Sequence, residues 1–246
     1  METIPDNPII LQYNNTEHYK IIKIRKKFIR LPLFISPKIA YFIGYLQGDG
    51  SIESNKRRIN FSDEYLEQIN QINLICNDIF KIKGRIDTRY TNKSKKSSYR
   101  LEVGSIALND YLHKTFCINR GIKKNLMIPN KFWENKEIMR WYLIGLYDAD
   151  GTLPKNPNKC KQLFIDITLK DKALIDKIKE ALIWFNINTL KPYCRKSKSP
   201  NSDYISTTWD LRIRKKEDMI KFLNEIGFYH PIKAIRVTLM KKKLDL

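Results

Sequence analysis

The chain contains one nine-residue pattern twice, at a spacing of 101 residues. Residues 42–50 read FIGYLQGDG, and residues 143–151 read LIGLYDADG. An ungapped alignment matches an isoleucine, a glycine and a final Asp-Gly pair in both copies. Because this spacing is the size of a small domain, the repeat predicts two similar halves within one chain.

The sequence around each copy has the same order of predicted elements. Each nonapeptide ends an apolar helical stretch, and a strand-like run and a stretch with helical periodicity follow it. Two strands around a basic turn come next, at 84–105 and at 190–214, and each half closes with helical sequence, near 106–117 and near 216–243. Both halves therefore read αββαββα, which places the chain in the α+β class.

Four segments follow from this reading. We expect an N-terminal extension at 1–35, a first repeat at 36–118, a linker at 119–135 and a second repeat at 136–246. The extension contains the basic run IIKIRKKFIR. This run fits a solvated arm, one extra strand, or an arm that contacts DNA backbone.

Composition narrows the function classes. Lys and Arg number 46 against 26 Asp and Glu, which gives a net charge of +20, and 42% of residues are hydrophobic. A folded core with this charge is most easily explained by a polyanionic partner. Four scattered cysteines without a C-x-x-C pair and three distant histidines argue against zinc sites and a disulfide scaffold. No membrane-length apolar run or signal-peptide pattern occurs, so we expect a soluble, reduced, intracellular protein.

An acidic residue lies at the predicted C-terminal end of each motif helix. Asp49 and Asp150 occupy these positions, although a carboxylate is mildly unfavourable at the negative end of a helix dipole. Small residues four apart in both motifs would let the two helices approach closely and bring the two aspartates side by side. Paired carboxylates share a proton or bind a divalent cation. In so basic a protein we favour Mg²⁺, with the carbonyls of Gly48 and Ala149 as further oxygen ligands.

The two nonapeptides resemble the LAGLIDADG motif of homing endonucleases, in the single-chain class with two motifs. The second copy is close to the family consensus, and the first departs from it at Gln47 and Gly48, but the acidic eighth residue is present in both. The resemblance implies two pseudo-twofold repeats packed through the motif helices, with antiparallel sheets that form a saddle over DNA. It also implies a monomer without an obligate protein partner that cleaves both strands of double-stranded DNA.

The same resemblance implies the metal chemistry. The acidic motif residues would hold Mg²⁺, for which Mn²⁺ would substitute, while Ca²⁺ would bind without supporting cleavage. The family often places a lysine from each half near the metals. The positions that match are Lys124 and Lys233, and Lys123 is the alternative to Lys124.

The two predicted hairpins carry the candidate DNA-binding residues. Arginines two residues apart share one sheet face, and a β-ribbon fits the major groove, where Arg reads guanine. The candidates are Arg85, Arg89, Lys93, Lys95, Lys96, Arg100, Arg195, Lys196, Lys198, Arg212 and Arg214.

Two functions remain open from the sequence. The first is an intron-encoded, metal-dependent homing endonuclease in an archaeal cytoplasm or an organelle. The second is a binding protein on the same fold that does not cleave, such as an intron RNA maturase or a regulator. The two intact aspartates favour cleavage, and the absence of splicing-junction residues argues against an intein.

Overall fold

The computed structural model describes residues 19–24, 27–55, 57–90, 97–198 and 205–245. By their contacts the residues form two units. The first unit comprises the described residues up to 123 together with 129–145, and the second comprises 124–128 and 146–245.

A two-stranded antiparallel hairpin precedes the first repeat. Its strands are β1 (Tyr19–Ile24) and β2 (Lys27–Pro32), and it packs against the rest of the first unit, with the side chains of Ile29 and Leu31 buried. The part of the extension that the structure describes is thus a pair of strands rather than a solvated arm. Contact of this hairpin with DNA backbone stays an open alternative.

The first repeat has the predicted αββαββα order. Its elements are α1 (Pro37–Gly48), β3 (Gly50–Ile52), β4 (Arg58–Asp63), α2 (Leu66–Phe80), β5 (Arg85–Tyr90), β6 (Ser97–Gly104) and α3 (Ile106–Phe116). Helix α1 begins where the sequence allows it, because the Ser36 hydroxyl accepts a hydrogen bond from the Ile39 N–H and Pro37 occupies the first turn.

The second repeat has the same order with one helix more. Its elements are α4 (Lys136–Asp150), β7 (Gly151–Thr152), β8 (Ile165–Leu169), α5 (Lys172–Trp184), β9 (Tyr193–Lys198), β10 (Ile205–Ile213), α6 (Lys216–Glu225) and α7 (Pro231–Lys243). The segment predicted as one closing helical stretch is two helices. Gly227 adopts a left-handed backbone conformation (φ +70°) after α6, and Pro231 then begins α7.

Each repeat forms one four-stranded antiparallel sheet, and the strand orders are equivalent. They are β3-β4-β6-β5 and β7-β8-β10-β9. One face of each sheet is apolar and buried, through Phe61 and Leu101 in the first repeat and Ile167 and Leu211 in the second. The opposite face is polar, as period-two alternation requires.

The predicted linker is structured. A 3-10 turn, Asn130–Glu134, places the buried Phe132 ring 5.9 Å from Phe116 and 5.5 Å from Tyr142. The predicted segment boundaries stay predictions, and the contacts assign 129–145, with the first ten residues of α4, to the first unit.

Candidate active site and nucleic-acid interface

Both motifs end in a sharp helix-to-strand transition that requires glycine. A Cβ atom on Gly50 would lie 2.8 Å from the Leu46 carbonyl oxygen, and one on Gly151 would lie 2.3 Å from the Tyr147 carbonyl oxygen. The aspartate before each glycine is therefore fixed at the very end of its helix. Asp49 caps α1 and is exposed, and Asp150 is the last residue of α4 and is half-buried.

Helices α1 and α4 approach closely within the first unit. A Cβ atom on Gly145 would lie 2.1 Å from the Tyr41 carbonyl oxygen and 3.0 Å from the Tyr45 nitrogen. No side chain fits between the two backbones at this point. The structure thus agrees with the prediction that a small residue at this motif position permits close helix packing.

A lysine ammonium lies at the C-terminal end of each motif. In the first unit, Lys123 Nζ donates to the Gln47 carbonyl oxygen at 2.7 Å and also to the Gly48 carbonyl oxygen. In the second unit, Lys233 Nζ lies 3.0, 2.6 and 3.0 Å from the carbonyl oxygens of residues 147, 148 and 149. A positive charge at these carbonyls stabilises the negative end of each helix dipole.

The lysine that matches Lys233 in geometry is Lys123. The motif offset of 101 residues relates Gln47 to Asp148 and Gly48 to Ala149, so the two ammonium groups contact equivalent carbonyls. Lys124 is exposed and belongs to the short segment counted with the second unit. Spacing along the chain could not separate these two neighbours, because only the fold shows which side chain turns toward α1. A catalytic role for Lys124 stays a prediction.

The residues expected to hold a metal provide hard oxygen donors. The carboxylates of Asp49 and Asp150 suit Mg²⁺. The carbonyls of Gly48 and Ala149 already accept hydrogen bonds from the lysine ammonium groups, which leaves each oxygen one further lone pair for a cation. Among the described residues, no three His, Cys, Asp or Glu side chains form a metal-binding cluster. The fit to Mg²⁺ therefore depends on the two motif carboxylates.

The residue two positions before each motif aspartate is buried and hydrogen-bonded. Gln47 is 3% exposed, and its Oε1 accepts a hydrogen bond of 2.6 Å from the Tyr142 hydroxyl. Asp148 is 1% exposed, and its two carboxylate oxygens lie 3.0 and 3.2 Å from the Tyr229 N–H nitrogen. No role for either side chain follows from the sequence. A polar residue inside an apolar helix was the only signal for them.

The polar face of the first sheet carries three of the predicted arginines. Strand register places Arg85 opposite Glu102 and Arg100 opposite Asp87, and Arg89 lies two residues beyond Asp87 on the same face. Arg100 Nε donates to Asn60 Oδ1 at 3.0 Å, and Arg85 Nε pairs with Asp87 at 2.8 Å. Lys93, Lys95 and Lys96 lie outside the described residues.

Buried aspartates orient two arginines on the polar face of the second sheet. Arg212 Nε and Nη2 lie 3.0 and 2.5 Å from Asp166 Oδ2. Arg195 Nη2 lies 2.5 Å from Asp210 Oδ2, and the Thr168 hydroxyl donates to the other Asp210 oxygen at 2.7 Å. Burial raises the pKa of Asp166 above its usual range, despite the lowering effect of the Arg212 guanidinium.

The remaining basic candidates of this hairpin lie elsewhere. Lys196 and Lys198 alternate with Arg195 along β9, so they point to the opposite face, and Arg214 follows the end of β10 and is exposed. The polar-face positions therefore favour Arg195 and Arg212 as base-reading candidates. Contact of all these residues with DNA stays a prediction.

The comparisons with known proteins identify the repeat. The family model described as "LAGLIDADG-like domain" matches twice, at residues 36–115 and 137–227, which together cover more than half of the chain.

The part of the chain that the structure describes contains no helix long and apolar enough to cross a membrane.

Similar sequences occur within longer proteins of unrelated names. Glutamine–fructose-6-phosphate aminotransferase of Methanocaldococcus jannaschii is 29% identical over 202 residues, which cover 81% of this chain. This chain spans only 17% of that protein, and 18% of the probable translation initiation factor IF-2 from the same organism, which is 26% identical over 93% of this chain. The similarity thus concerns a minor segment of each relative.

The solved structures that share the fold include two homing endonucleases and a WhiA domain. The homing endonuclease I-WcaI bound to its DNA recognition sequence has a TM-score of 0.55 and 19% identity over 85% of both chains. I-DmoI in complex with DNA and Mn has a TM-score of 0.50 and 19% identity over 78% of this chain and 96% of that chain. The N-terminal LAGLIDADG domain of DUF199/WhiA has a TM-score of 0.53 and 18% identity over 82% of this chain and 86% of that chain. With two matched segments and the fold of these proteins, the chain belongs to the LAGLIDADG family, in the class that carries two motifs in one chain.

Proposed function

We propose that this protein is a sequence-specific homing endonuclease that cleaves both strands of a double-stranded DNA target. The reaction is metal-dependent hydrolysis of two phosphodiester bonds. A single chain acts as a monomer, because both motifs are supplied in cis. Its gene lies in an intron.

One observation carries this proposal: the same acidic and basic constellation occurs in both units. Each motif ends in an aspartate, and a lysine ammonium contacts the carbonyls just before that aspartate. A purely structural helix end does not need a carboxylate, which is mildly unfavourable at the negative end of the helix dipole. Two such constellations match the two strands to be hydrolysed, one for each strand.

The residues divide the chemistry between them. Asp49 and Asp150 would hold divalent cations, and such a cation neutralises charge that develops on the phosphate and activates water. Lys123 and Lys233 keep a positive charge at the same helix ends, where it favours a negatively charged phosphate and its transition state. Mg²⁺ is the proposed cofactor, with Mn²⁺ able to replace it and Ca²⁺ supporting binding alone.

The positive charge of the chain supports double-stranded DNA as the proposed substrate. The net charge is +20, and arginines occupy the polar faces of both sheets. Arginine on a β-ribbon matches the hydrogen-bonding edges of guanine in the major groove. Similar segments occur inside longer proteins with unrelated names. This distribution is expected of a homing endonuclease, whose coding sequence moves between genes.

A binding protein that does not cleave is the second candidate. The likeness to the WhiA LAGLIDADG domain favours this candidate. That domain carries no nuclease name, yet it is as similar to this chain in fold (TM-score 0.53) as the two homing endonucleases are (0.50 and 0.55). The intact motif aspartates favour cleavage, since binding alone does not need them.

A cleavage screen separates the two candidates. The full chain is incubated with a plasmid library of intronless insertion sites in Mg²⁺, with Ca²⁺ and EDTA as controls. We expect linear products from a few related sites in Mg²⁺ only, and one protein per duplex on sedimentation in Ca²⁺. Tight, sequence-specific binding without strand scission in Mg²⁺ or Mn²⁺ would favour the binding protein.

A further inference from the structure

The Asp148 carboxylate is one of the most deeply buried charged groups in the second unit. It is 1% exposed, whereas the proposed metal ligand two residues later is half-buried. A buried carboxylate is costly unless it accepts hydrogen bonds. Both Asp148 oxygens lie within 3.2 Å of the Tyr229 N–H nitrogen. This contact joins the motif helix to a segment 81 residues away in sequence.

The segment that receives this contact leads directly to Lys233. Gly227 turns the chain with a φ of +70°, and Pro231 begins α7. The buried His230 caps α7, since its Nδ1 accepts a hydrogen bond of 3.2 Å from the Ile232 N–H. Fixing Tyr229 therefore fixes the first turn of α7, from which the Lys233 side chain extends.

The Lys233 side chain in turn contacts Asp148, the residue whose carboxylate holds the Tyr229 segment. Its ammonium lies 2.6 Å from the Asp148 carbonyl oxygen, and 3.0 Å from each of the carbonyls on either side. Residue 148 thus contacts this segment twice, through its carboxylate at Tyr229 and through its carbonyl at Lys233. Loss of the first contact would free the chain that positions the second.

The first unit supports its lysine differently. The equivalent residue, Gln47, uses its side chain to accept a hydrogen bond from Tyr142, and the Lys123 segment is held by the Gly121 N–H, which donates to the Ile52 carbonyl at 2.7 Å. A side-chain contact at the sixth motif position therefore positions a lysine segment in the second unit, and the first unit uses backbone for that purpose.

We propose that Asp148 is a positioning residue for Lys233, and that it sets the cleavage rate of one DNA strand and not the other. This inference rests on the proposed function, in which Lys233 acts in one of two strand cleavages. In this role Asp148 acts on cleavage by holding the lysine segment, and it is assigned no contact with the metal or the DNA.

Strand-resolved single-turnover cleavage tests the inference. We expect Asp148→Ala to slow one strand roughly 10- to 100-fold, since small displacements of a catalytic group have effects of this size. The slowed strand should be the one that Lys233→Met slows. Asp148→Asn retains a carbonyl oxygen for the Tyr229 N–H and should recover most of the rate. The double variant Asp148→Ala/Lys233→Met should be no slower than Lys233→Met, because the two residues act in series.

Asp218→Ala is the matched control in the same unit. Asp218 is 3% exposed, and its carboxylate accepts a hydrogen bond of 2.9 Å from the Asn188 N–H, in a segment other than that of Lys233. Its loss should lower stability while leaving the ratio of the two strand rates unchanged. Amide hydrogen exchange gives a readout that does not depend on cleavage. Exchange at Tyr229 should accelerate in Asp148→Ala and stay near the wild-type rate in Asp148→Asn.

The outcomes separate the inference from the proposed function. Equal slowing of both strands by Asp148→Ala, or additive effects with Lys233→Met, would overturn the inference and leave the nuclease intact. A wild-type protein that does not cleave would remove the proposed function. In that case unchanged Tyr229 exchange in Asp148→Ala would also show that Asp148 does not hold the segment.

Discussion

Lys123 and Lys124 are neighbours in the chain, yet their environments differ. The Lys123 ammonium contacts the carbonyls at the end of α1, and Lys124 is exposed. The family pattern allowed either residue. The contact is made across 75 residues of sequence, and no local periodicity encodes it.

Replacing each lysine in turn tests this placement. We expect Lys123→Met to slow cleavage of one strand roughly 100-fold, since a charge that favours the transition state is lost. Lys124→Met is the control and should stay within about threefold of the wild-type rate. The measurement is the accumulation of nicked plasmid over time. The opposite order of effects would restore Lys124 as the acting lysine.

Gly145 is the motif residue with the tightest surroundings. A methyl group there would overlap the Tyr41 carbonyl oxygen, so α1 and α4 would have to separate. We expect Gly145→Ala to lower the free energy of unfolding by about 3 kcal/mol, at the upper end of overpacking costs. Urea denaturation measures the change.

Gly104→Ala is the matched control for that substitution. Gly104 ends β6, is exposed, and has as its nearest contact the Arg57 carbonyl oxygen, 3.9 Å from the added Cβ atom. It should change stability by less than about 1 kcal/mol. Equal effects of the two substitutions would show that α1 and α4 do not pack closely at Gly145.

Strand β9 presents alternate residues to different surroundings. Arg195 lies on the polar face and pairs with the buried Asp210, whereas the next residue, Lys196, lies opposite Thr207 on the other face. An arginine held by a buried carboxylate loses little conformational freedom when it contacts DNA. We therefore expect Arg195 to contact base edges, and Lys196, on the other face of the strand, not to do so.

Adjacent substitutions test this assignment. We expect Arg195→Gln to lower specific affinity by about 1–3 kcal/mol and to relax base preference at one or two positions. Lys196→Gln should leave base preference unchanged. Binding-site selection and gel shifts in Ca²⁺ measure both effects. Relaxed preference in Lys196→Gln alone would reverse the face assignment.

The order of elements followed from sequence, because strong periodic patterns and the repeat support each other. The αββαββα order of both halves is confirmed, as are the two hairpins. The break between α6 and α7 was missed although Gly227 and Pro231 mark it in the sequence, because the residues on both sides of it have helical composition. The contacts of Arg212 with Asp166 and of Asp148 with Tyr229 join residues 46 and 81 positions apart. Such pairs depend on the fold, so composition and spacing could not predict them.

The net charge of the whole chain predicts steep salt dependence. The protein carries 20 more positive than negative charges, and we expect it to make on the order of ten contacts with DNA phosphates. We expect the affinity measured in Ca²⁺ to fall roughly 10³- to 10⁵-fold between 50 and 200 mM salt. Fluorescence anisotropy over this range gives the slope. An affinity that does not change with salt would contradict a phosphate-dominated interface.

Conversion of each motif aspartate to asparagine tests whether the two motif ends are the cleavage centres. Supercoiled-plasmid cleavage in Mg²⁺ is measured alongside a gel shift in Ca²⁺, with Asp176→Asn, which removes an exposed helical ion pair, as the control. Asp49→Asn and Asp150→Asn should each slow double-strand cleavage roughly 1,000-fold or more, because an amide keeps the size but loses the charge that holds a cation. DNA binding should survive in both, since the sheets supply most contacts. Linearisation by either variant at the wild-type rate would show that the motif aspartate it lacks takes no part in cleavage.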